Sequence, residues 1–242
     1  MTTLFISDLH LDPSRPRVTR LFRDFLAGEA RRAEALYVLG DLFEAWIGDD
    51  AAGEEDRETM RALRQLTDSG VPAYFMRGNR DFLVGEEFAR QTGMQLLEDP
   101  QVVELYGERV LLSHGDVLCI DDTDHMAFRK MVLDPAWQRD FLSRSVAERQ
   151  AFADRARAES MQQGQNKSLE IMDVNAAEVE RVMSGHGVRR LIHGHTHRPD
   201  VHPFELEGEA AERIVLGDWF DQGSVLRVDP GDYRLETLPL TS

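Results

Sequence analysis

Short apolar runs that end in polar residues recur along the first part of the chain. Leu4-Phe5-Ile6, Ala35–Leu39 and Val71–Met76 each have the composition and length of a buried strand. Between them, the apolar residues of Val18–Arg32 fall at helical spacing, and Glu54–Asp68 has the charged, amphipathic pattern of a second helix. Strands that alternate with helices in this way predict a layered α/β (α+β) fold.

The pattern changes after residue 100. Val102–Leu112 predicts a hairpin that turns at Gly107, and Asp173–Met183 predicts an amphipathic helix. From Asp121 to Lys167 the chain has a helical pattern with bulky apolar residues and is close to neutral. We therefore expect a single domain over residues 1–242 with a helical lid inserted at 121–168. Four alternating segments predict further antiparallel strands: Val201–Leu206, Arg213–Leu216, Val225–Val228 and Tyr233–Leu238.

Composition and charge narrow the class of protein. The chain has 242 residues, 42 % of them hydrophobic, which is enough for a large core. Its net charge of −16 argues against a nucleic-acid partner but leaves room for a local basic pocket. The single cysteine, Cys119, lies in an apolar stretch and is expected to be a buried structural thiol. The beginning of the chain lacks a signal-peptide pattern and no segment is apolar enough for a membrane span, so we expect a cytoplasmic protein.

The chemistry gathers at the ends of the predicted strands. Leu191-Ile192-His193 leads into Gly194-His195-Thr196-His197, where two imidazoles one residue apart can reach the same point. A short histidine tract alone is equally compatible with a polar turn. Asp8 and His10 follow the first strand, and in an extended segment they would point the same way.

Seven side chains share this position directly after an apolar run. Oxygen and nitrogen ligands without thiolate favour Mn, Fe, Mg or Zn, and seven ligands suit two octahedral ions that share a bridging carboxylate. Two ions roughly 3.5–4 Å apart clamp a phosphoryl group and lower the pKa of bound water. The candidates are Asp8, His10, Asp41, Asn79, His114, His195 and His197. Asp81, by contrast, is expected to cap a helix over Phe82–Gln91, and His125, His186, His193 and His202 are expected to be surface or core residues.

Taken in order, five motifs resemble those of the calcineurin-like metallophosphoesterases. They are Asp8-x-His10, Gly40-Asp41, Gly78-Asn79, His114 and Gly194-His195-x-His197. The resemblance implies a four-layer sandwich of two mixed β-sheets flanked by helices. It also implies that Asp8, His10, Asp41 and His197 hold one metal, that Asp41 bridges, and that Asn79, His114 and His195 hold the second.

A closer resemblance is to the UDP-2,3-diacylglucosamine diphosphatases of lipid A synthesis. It rests on Ile6–Leu11, Gly40–Asp50, Arg77–Phe82, Leu112–Asp116, Ile171–Asn175, His193–Pro199 and Leu216–Trp219. The resemblance implies hydrolysis of the diphosphate to UMP and 2,3-diacylglucosamine 1-phosphate, with two divalent ions, most commonly Mn²⁺. The catalytic set would be the seven ligands and Arg80. The substrate set would be Asn79, Arg80, Asp122, Ser160, Gly164, Lys167 and His195, although Gly164 lacks a side chain that could hydrogen-bond.

Arg80 favours diphosphate cleavage on physical grounds. Many phosphoesterases of the wider family have histidine directly after the asparagine, where it can donate a proton to the leaving group. Arginine keeps its proton, but it binds a second phosphate by bidentate contacts. A phosphate leaving group is weakly basic and needs little protonation, so arginine suits it better than it suits an alkoxide.

The lid suits a lipid substrate. Phe128, Val132, Trp137, Phe141 and Phe152 are candidates to line an acyl cleft. A substrate of this kind implies an enzyme that works at the cytoplasmic face of the inner membrane. We expect the association to be weak, because the net charge opposes strong attraction to anionic lipid. We also expect the enzyme to be a monomer. Two alternatives stay open. One is a phosphoesterase with the same metals that hydrolyses a nucleoside-diphosphate lipid or a dinucleoside polyphosphate, and the other is a non-catalytic scaffold on the same fold.

Overall fold

The computed structural model of the protein describes residues 2–164, 171 and 173–240. The strands are β1 (Thr3–Ile6), β2 (Ala35–Leu39), β3 (Ala73–Met76), β4 (Gln95–Leu97), β5 (Gln101–Leu105), β6 (Glu108–Ser113), β7 (Arg190–His193), β8 (Asp200–Leu206), β9 (Glu209–Val215), β10 (Gln222–Asp229) and β11 (Asp232–Pro239). The α-helices are α1 (Pro16–Ala27), α2 (Glu54–Asp68), α3 (Glu86–Thr92), α4 (Thr123–Val132), α5 (Pro135–Ser143), α6 (Val146–Gly164) and α7 (Ala176–His186). None of the described helices is long and apolar enough to cross a membrane.

The strands form two mixed sheets. The first has the order β11-β10-β1-β2-β3-β4, in which β1 to β4 run parallel and β10 and β11 are antiparallel to their neighbours. The second has the order β5-β6-β7-β9-β8, in which β6, β7 and β9 run parallel. The hairpin predicted over Val102–Leu112 is β5-β6, with its turn at Tyr106 and Gly107.

Three apolar clusters separate four layers. Phe5 and Tyr37 of the first sheet and Leu112 and Ile192 of the second belong to one cluster, which lies between the sheets. A second cluster packs α1, α2 and α3 on the outer face of the first sheet. A third packs α7 on the outer face of the second sheet. The structure therefore has the helix–sheet–sheet–helix layering that was predicted.

This topology places the chemistry at one edge. In parallel strands the carboxyl ends lie on the same side of the sheet, where α/β proteins bind ligands. Here β1, β2 and β3 of one sheet and β6 and β7 of the other end beside each other, and each is followed directly by at least one of the seven candidate ligands.

Several elements differ from the predictions. β4 was not predicted, α1 ends at Ala27 and is followed by a short 3-10 helix, and β9 is parallel to β7 although it was expected to be antiparallel to its neighbours. The third helix begins at Glu86, later than predicted, with Gly85 as its N-cap. Its first backbone N–H groups are bound by a distant side chain: Asp49 accepts hydrogen bonds from the N–H groups of Gly85 and Phe88, both at 3.0 Å. A cap supplied from another loop cannot be read from the local pattern.

The predicted lid segment is helical as far as the structure describes it. α4, α5 and α6 occupy it up to residue 164, and Lys167 lies outside the described residues. Buried Arg149 on α6 donates to the carbonyl of Ile47 at 2.7 Å and to the carboxylate of Asp50. Arg129 on α4 donates to Asp116 at 2.8 Å. Two buried or half-buried arginines thus attach these helices to loops beside the strand ends.

Candidate metal centre

The candidate ligands lie on loops with an unusual backbone. Asp8, His10, Asp41, His195 and His197 all have positive φ angles, between 48° and 67°. This left-handed conformation is strained for residues other than glycine and is typical of functional sites. The expectation that Asp8 and His10 extend the strand is therefore wrong. The chain coils at each strand end, which turns the side chains inward toward one another.

Glycines allow the loops to approach closely. A Cβ atom at Gly194 would lie 2.4 Å from Oδ2 of Asp8 and 2.4 Å from Oγ of Ser7. At Gly78 it would lie 2.1 Å from Oδ1 of Asp41. Gly194 therefore lets the last loop pass close to the first, and Gly78 has the same function between the second and third loops.

The first group of ligand atoms surrounds Oδ1 of Asp8. Nε2 of His197 lies 3.3 Å from this oxygen and Nε2 of His10 lies 3.9 Å from it. The two Nε2 atoms are 3.2 Å apart, and Nε2 of His10 is 3.7 Å from Oδ2 of Asp41. All four atoms belong to the residues that the family resemblance assigns to one metal.

The second group surrounds Oδ1 of Asn79. Nε2 of His114 lies 3.0 Å from this oxygen, and Nδ1 of His195 lies 2.9 Å from it. Nε2 of His114 is also 3.7 Å from Oδ1 of Asp41. The Asp41 carboxylate thus has one oxygen toward each group, which is the position of a bridging ligand.

These atoms fit a pair of divalent cations. Octahedral ligands about 2.1 Å from an ion lie about 3 Å from one another, which matches the spacing of the closest pairs in both groups. Oδ1 of Asp8 is buried and has no hydrogen-bond partner in the described part of the chain. A buried carboxylate oxygen without a partner is costly unless a cation or proton satisfies it.

The electrostatics of the cluster are strongly perturbed. Burial alone would raise the pKa of Asp8, but the close contact and positive charge of His197 hold it well below its usual range. Burial would lower the pKa of His114, but the carboxylates of Asp41 and Asp8 raise it to about 10. Burial, with the neighbouring charge of His114, lowers the pKa of His195 well below its usual range. Such clusters of shifted groups are typical of functional sites.

Asp81 has a structural role, but a different one from the predicted cap. Its buried carboxylate accepts hydrogen bonds from the N–H groups of Gly78 and Leu42, both at 2.8 Å, and from those of Asp41 at 3.3 Å and Phe43 at 3.4 Å. It therefore fastens the loop after β2 to the loop after β3. Burial and the neighbouring carboxylate of Asp41 raise the pKa of Asp81 to about 7.

A cleft of about 640 Å³ opens between the cluster and the helices α4 to α6. Asn79, Arg80, His195 and His197 lie at its polar end, and Asp122 and Ser160 also line it. Its apolar wall comes from Trp46, Ile47, Phe82, Leu83, Phe128, Phe141, Phe152 and Ala153.

Three of the five residues that were predicted to line an acyl cleft lie in the wall of this cleft. Phe128, Phe141 and Phe152 line the cleft. Trp137 is not in its wall and stacks on Phe141 from behind, with ring centroids 4.8 Å apart. Val132 lines a smaller neighbouring cavity of about 140 Å³. Gly164 ends α6, and Lys167 lies outside the described residues.

Some residues near the cluster were not singled out from the sequence. Glu44 and Asp218 approach Nδ1 of His10 and of His197, at 3.0 and 3.5 Å. Both belong to motifs that follow strands, so their position was a usable signal. His125 also lies here, in the cleft wall with its ring 5.3 Å from that of His195. His193 is buried in the core as expected, and Arg213 lies against its Nε2 at 3.2 Å.

The calcineurin-like phosphoesterase family model matches residues 1–199 of the chain. The chain belongs to this family. Two relatives carry the name UDP-2,3-diacylglucosamine hydrolase. The one from Stenotrophomonas maltophilia (strain R551-3) is 56 % identical, over 98 % of this chain and 99 % of the relative. The one from Xanthomonas oryzae pv. oryzae (strain PXO99A) is 52 % identical, over 99 % of this chain and 100 % of the relative.

Among solved structures, a phosphoesterase from E. coli is similar to this chain with a TM-score of 0.49 and 16 % identity. The match covers 99 % of this chain and 93 % of that one.

Proposed function

We propose that the protein hydrolyses the diphosphate bond of UDP-2,3-diacylglucosamine, releasing UMP and 2,3-diacylglucosamine 1-phosphate, as a step of lipid A biosynthesis. The observation that carries the proposal is one continuous cleft. The cluster of ligand atoms and Arg80 lie at its polar end, and aromatic and aliphatic side chains form its wall. Relatives that are more than half identical over nearly their full length carry the name of this activity.

Our proposal assigns the seven ligands to two divalent cations, Mn²⁺ by preference. Asp8, His10, Asp41 and His197 would hold one, and Asp41, Asn79, His114 and His195 the other. Bound there, the cations would lower the pKa of water and withdraw charge from the phosphate under attack.

Arg80 binds the diphosphate in this proposal. Its backbone N–H donates to Oδ1 of Asp41 at 2.8 Å, which fixes the start of the side chain beside the bridging carboxylate. Within the described ranges its guanidinium has no hydrogen bond or ion pair to another side chain, so its donors are available to phosphate oxygens. The fixed positive charge stabilises the negative charge that develops on the leaving phosphate.

Two further side chains of the proposed substrate set line the cleft where they can reach the glucosamine and its phosphate. Asp122 caps α4, accepting from the N–H of His125 at 3.0 Å, and Ser160 lies on the exposed side of α6. Lys167 stays in the proposed set from the sequence alone, and Gly164 can contribute only its backbone. The acyl chains would lie against Phe128, Phe141 and Phe152.

The rest of the proposal concerns the setting. The chain would act as a monomer on the cytoplasmic face of the inner membrane, with weak peripheral contact and no nucleic-acid partner. The whole of residues 1–242 would form one domain, and the insertion at 121–168 would be its lid.

The test is product analysis with metal-depleted protein. Mn²⁺ is added back in the presence of UDP-2,3-diacylglucosamine, and the products are identified by phosphorus NMR. Formation of UMP and the sugar 1-phosphate should be restored. Asp41→Asn, which removes the negative charge of the carboxylate that faces both ligand groups, should lower turnover by at least about 100-fold, within the range of losses for critical catalytic groups. Release of UDP or inorganic phosphate in place of UMP, or turnover that needs no metal, would contradict the proposal.

A further inference from the structure

Glu44 lies behind His10, on the side of the imidazole away from the ligand cluster. Its Oε2 atom is 3.0 Å from Nδ1 of His10, while Nε2 of the same ring faces His197 at 3.2 Å. The contact with Glu44 is close but is not aligned as a hydrogen bond in this arrangement. One ring nitrogen of His10 thus faces the cluster and the other faces a carboxylate.

The surroundings hold Glu44 in this place. Its backbone N–H donates to the carbonyl of Leu11 at 3.1 Å, and the N–H of Leu11 donates to the carbonyl of Leu42 at 2.9 Å. The loops after β1 and β2 are therefore tied together on either side of the contact. The Glu44 side chain is 11 % exposed, so its charge is only weakly screened by water.

The other carboxylate oxygen of Glu44 contacts the lid. Its Oε1 atom lies 3.0 Å from Nε of Arg157, which belongs to α6 and lines the cleft. The guanidinium of Arg157 also lies 3.6 Å from Oδ2 of Asp12, on the loop after β1. A single carboxylate therefore contacts both a candidate metal ligand and the helix that covers the cleft.

Metal-binding histidines commonly place their second ring nitrogen against a carboxylate, which orients the ring and makes it a better ligand. His197 has the same arrangement, with Oδ2 of Asp218 3.5 Å from its Nδ1. Glu44 differs from Asp218 because it also pairs with a lid residue. The two contacts would couple the orientation of His10 to the position of α6.

We propose that Glu44 is a positioning residue that orients His10 for metal binding and links the metal centre to the lid through Arg157. The inference rests on the proposed function, because it takes His10 as a metal ligand and α6 as part of a lid. It assigns Glu44 no contact with the substrate and no proton transfer. Its effect on turnover comes through the metal occupancy of the site and through the position of α6.

The first arm of the test measures metal binding without substrate. Metal-depleted protein is titrated with Mn²⁺, and free Mn²⁺ is followed by its electron paramagnetic resonance signal. Glu44→Gln keeps the shape of the side chain and removes its charge. It should weaken Mn²⁺ binding at the site that contains His10 by about 10- to 100-fold, which is the usual effect of losing a carboxylate that orients a metal-binding histidine. Glu44→Asp should recover part of that loss. The control is Asp50→Asn, which disturbs the Arg149 contact of the same helix α6 from a segment that contains no candidate ligand, and it should leave Mn²⁺ affinity unchanged.

The second arm measures the link to the lid. Arg157→Gln should change Mn²⁺ affinity by about fivefold or less, the range of a half-exposed ion pair, but should raise KM for the acylated substrate. Because Glu44 and Arg157 would act on KM through the same contact, the double variant should raise KM by less than the product of the two single effects. Fully multiplicative effects would overturn the link.

The two arms separate this inference from the proposed function. Wild-type protein that binds no Mn²⁺ would contradict the metal centre itself. Wild-type protein that binds Mn²⁺, together with a Glu44→Gln variant that folds and binds it equally well, would overturn the positioning role and leave the proposed function standing.

Discussion

In the proposed function, Arg80 is the residue that favours cleavage of a diphosphate over cleavage of a simple phosphoester. Replacing it by histidine removes the fixed charge and the bidentate geometry while keeping a side chain that could donate a proton. We expect Arg80→His to lower kcat/KM for UDP-2,3-diacylglucosamine by about 10- to 100-fold, the value of one or two charge-assisted hydrogen bonds. The kcat/KM of Arg80→Lys should lie between those of wild type and Arg80→His, since lysine keeps the charge but cannot make bidentate contacts. Unchanged kinetics in Arg80→His would remove the argument that this residue selects a diphosphate.

Asp81 shows how a buried carboxylate can support a site without belonging to it. It accepts from four backbone N–H groups of two loops, so Asp81→Ala leaves several buried donors without partners. We expect this change to lower the free energy of unfolding by about 2–4 kcal/mol, measured by urea denaturation of metal-depleted protein. The exposed Asp68→Ala, which loses only a pair with Arg64 on the surface of α2, should change it by less than about 0.5 kcal/mol. Equal losses in the two variants would show that the loops do not depend on Asp81.

At the scale of elements, the ends of the parallel strands were readable from the sequence but the loops that follow were not. The apolar runs predicted β1, β2 and β3, and the polar residues after them indicated the candidate ligands. The left-handed turns at Asp8, His10 and Asp41 depend on close packing between loops far apart in the chain. That packing is invisible to a local pattern, as is the start of α3, whose cap Asp49 comes from another loop.

The helices over the cleft give a prediction about binding of the acyl chains. Phe128 on α4 is half-buried and lines the cleft, whereas Met131 on the same helix is 40 % exposed and is not among the residues that line the cleft. Phe128→Ala should raise KM for the diacylated substrate by roughly tenfold, since it removes an aromatic surface worth about 1.5–3 kcal/mol when buried. Met131→Ala should leave KM unchanged. An equal KM for Phe128→Ala and wild type would place the acyl chains elsewhere.

At the scale of the whole molecule, the net negative charge opposes membrane binding, whereas exposed apolar side chains on the lid helices favour it. The net charge of −16 repels anionic lipid, while the lid helices expose Met131, Leu133, Leu142 and Val146 among basic and acidic residues. We expect partial co-sedimentation with vesicles of neutral phospholipid, driven by these apolar residues, and a loss of it in the double variant Met131→Ser, Leu142→Ser. Recovery of all the wild-type protein in the supernatant at low salt would contradict weak peripheral association.

The layered fold and the set of candidate ligands could be predicted from the sequence because both depend on short local patterns in a fixed order. The residues that surround the candidate ligands could be predicted less well. Glu44, Asp218 and His125 reach the cluster only once the strand ends meet, and Trp137 proved to support the cleft wall from behind Phe141. These placements follow from tertiary packing.

In the proposed function, one cleft joins a dinuclear metal centre to a wall that binds the acyl chains. The most direct test is the rate of UMP release, with saturating Mn²⁺, from UDP-2,3-diacylglucosamine and from the same nucleotide sugar without acyl chains, for wild type and His10→Ala. We predict rapid release from the acylated substrate by wild type, little from the other substrate, and little from either by the variant. Equal cleavage of both substrates by wild type would contradict the acyl-binding wall, and undiminished activity in His10→Ala would contradict the metal centre.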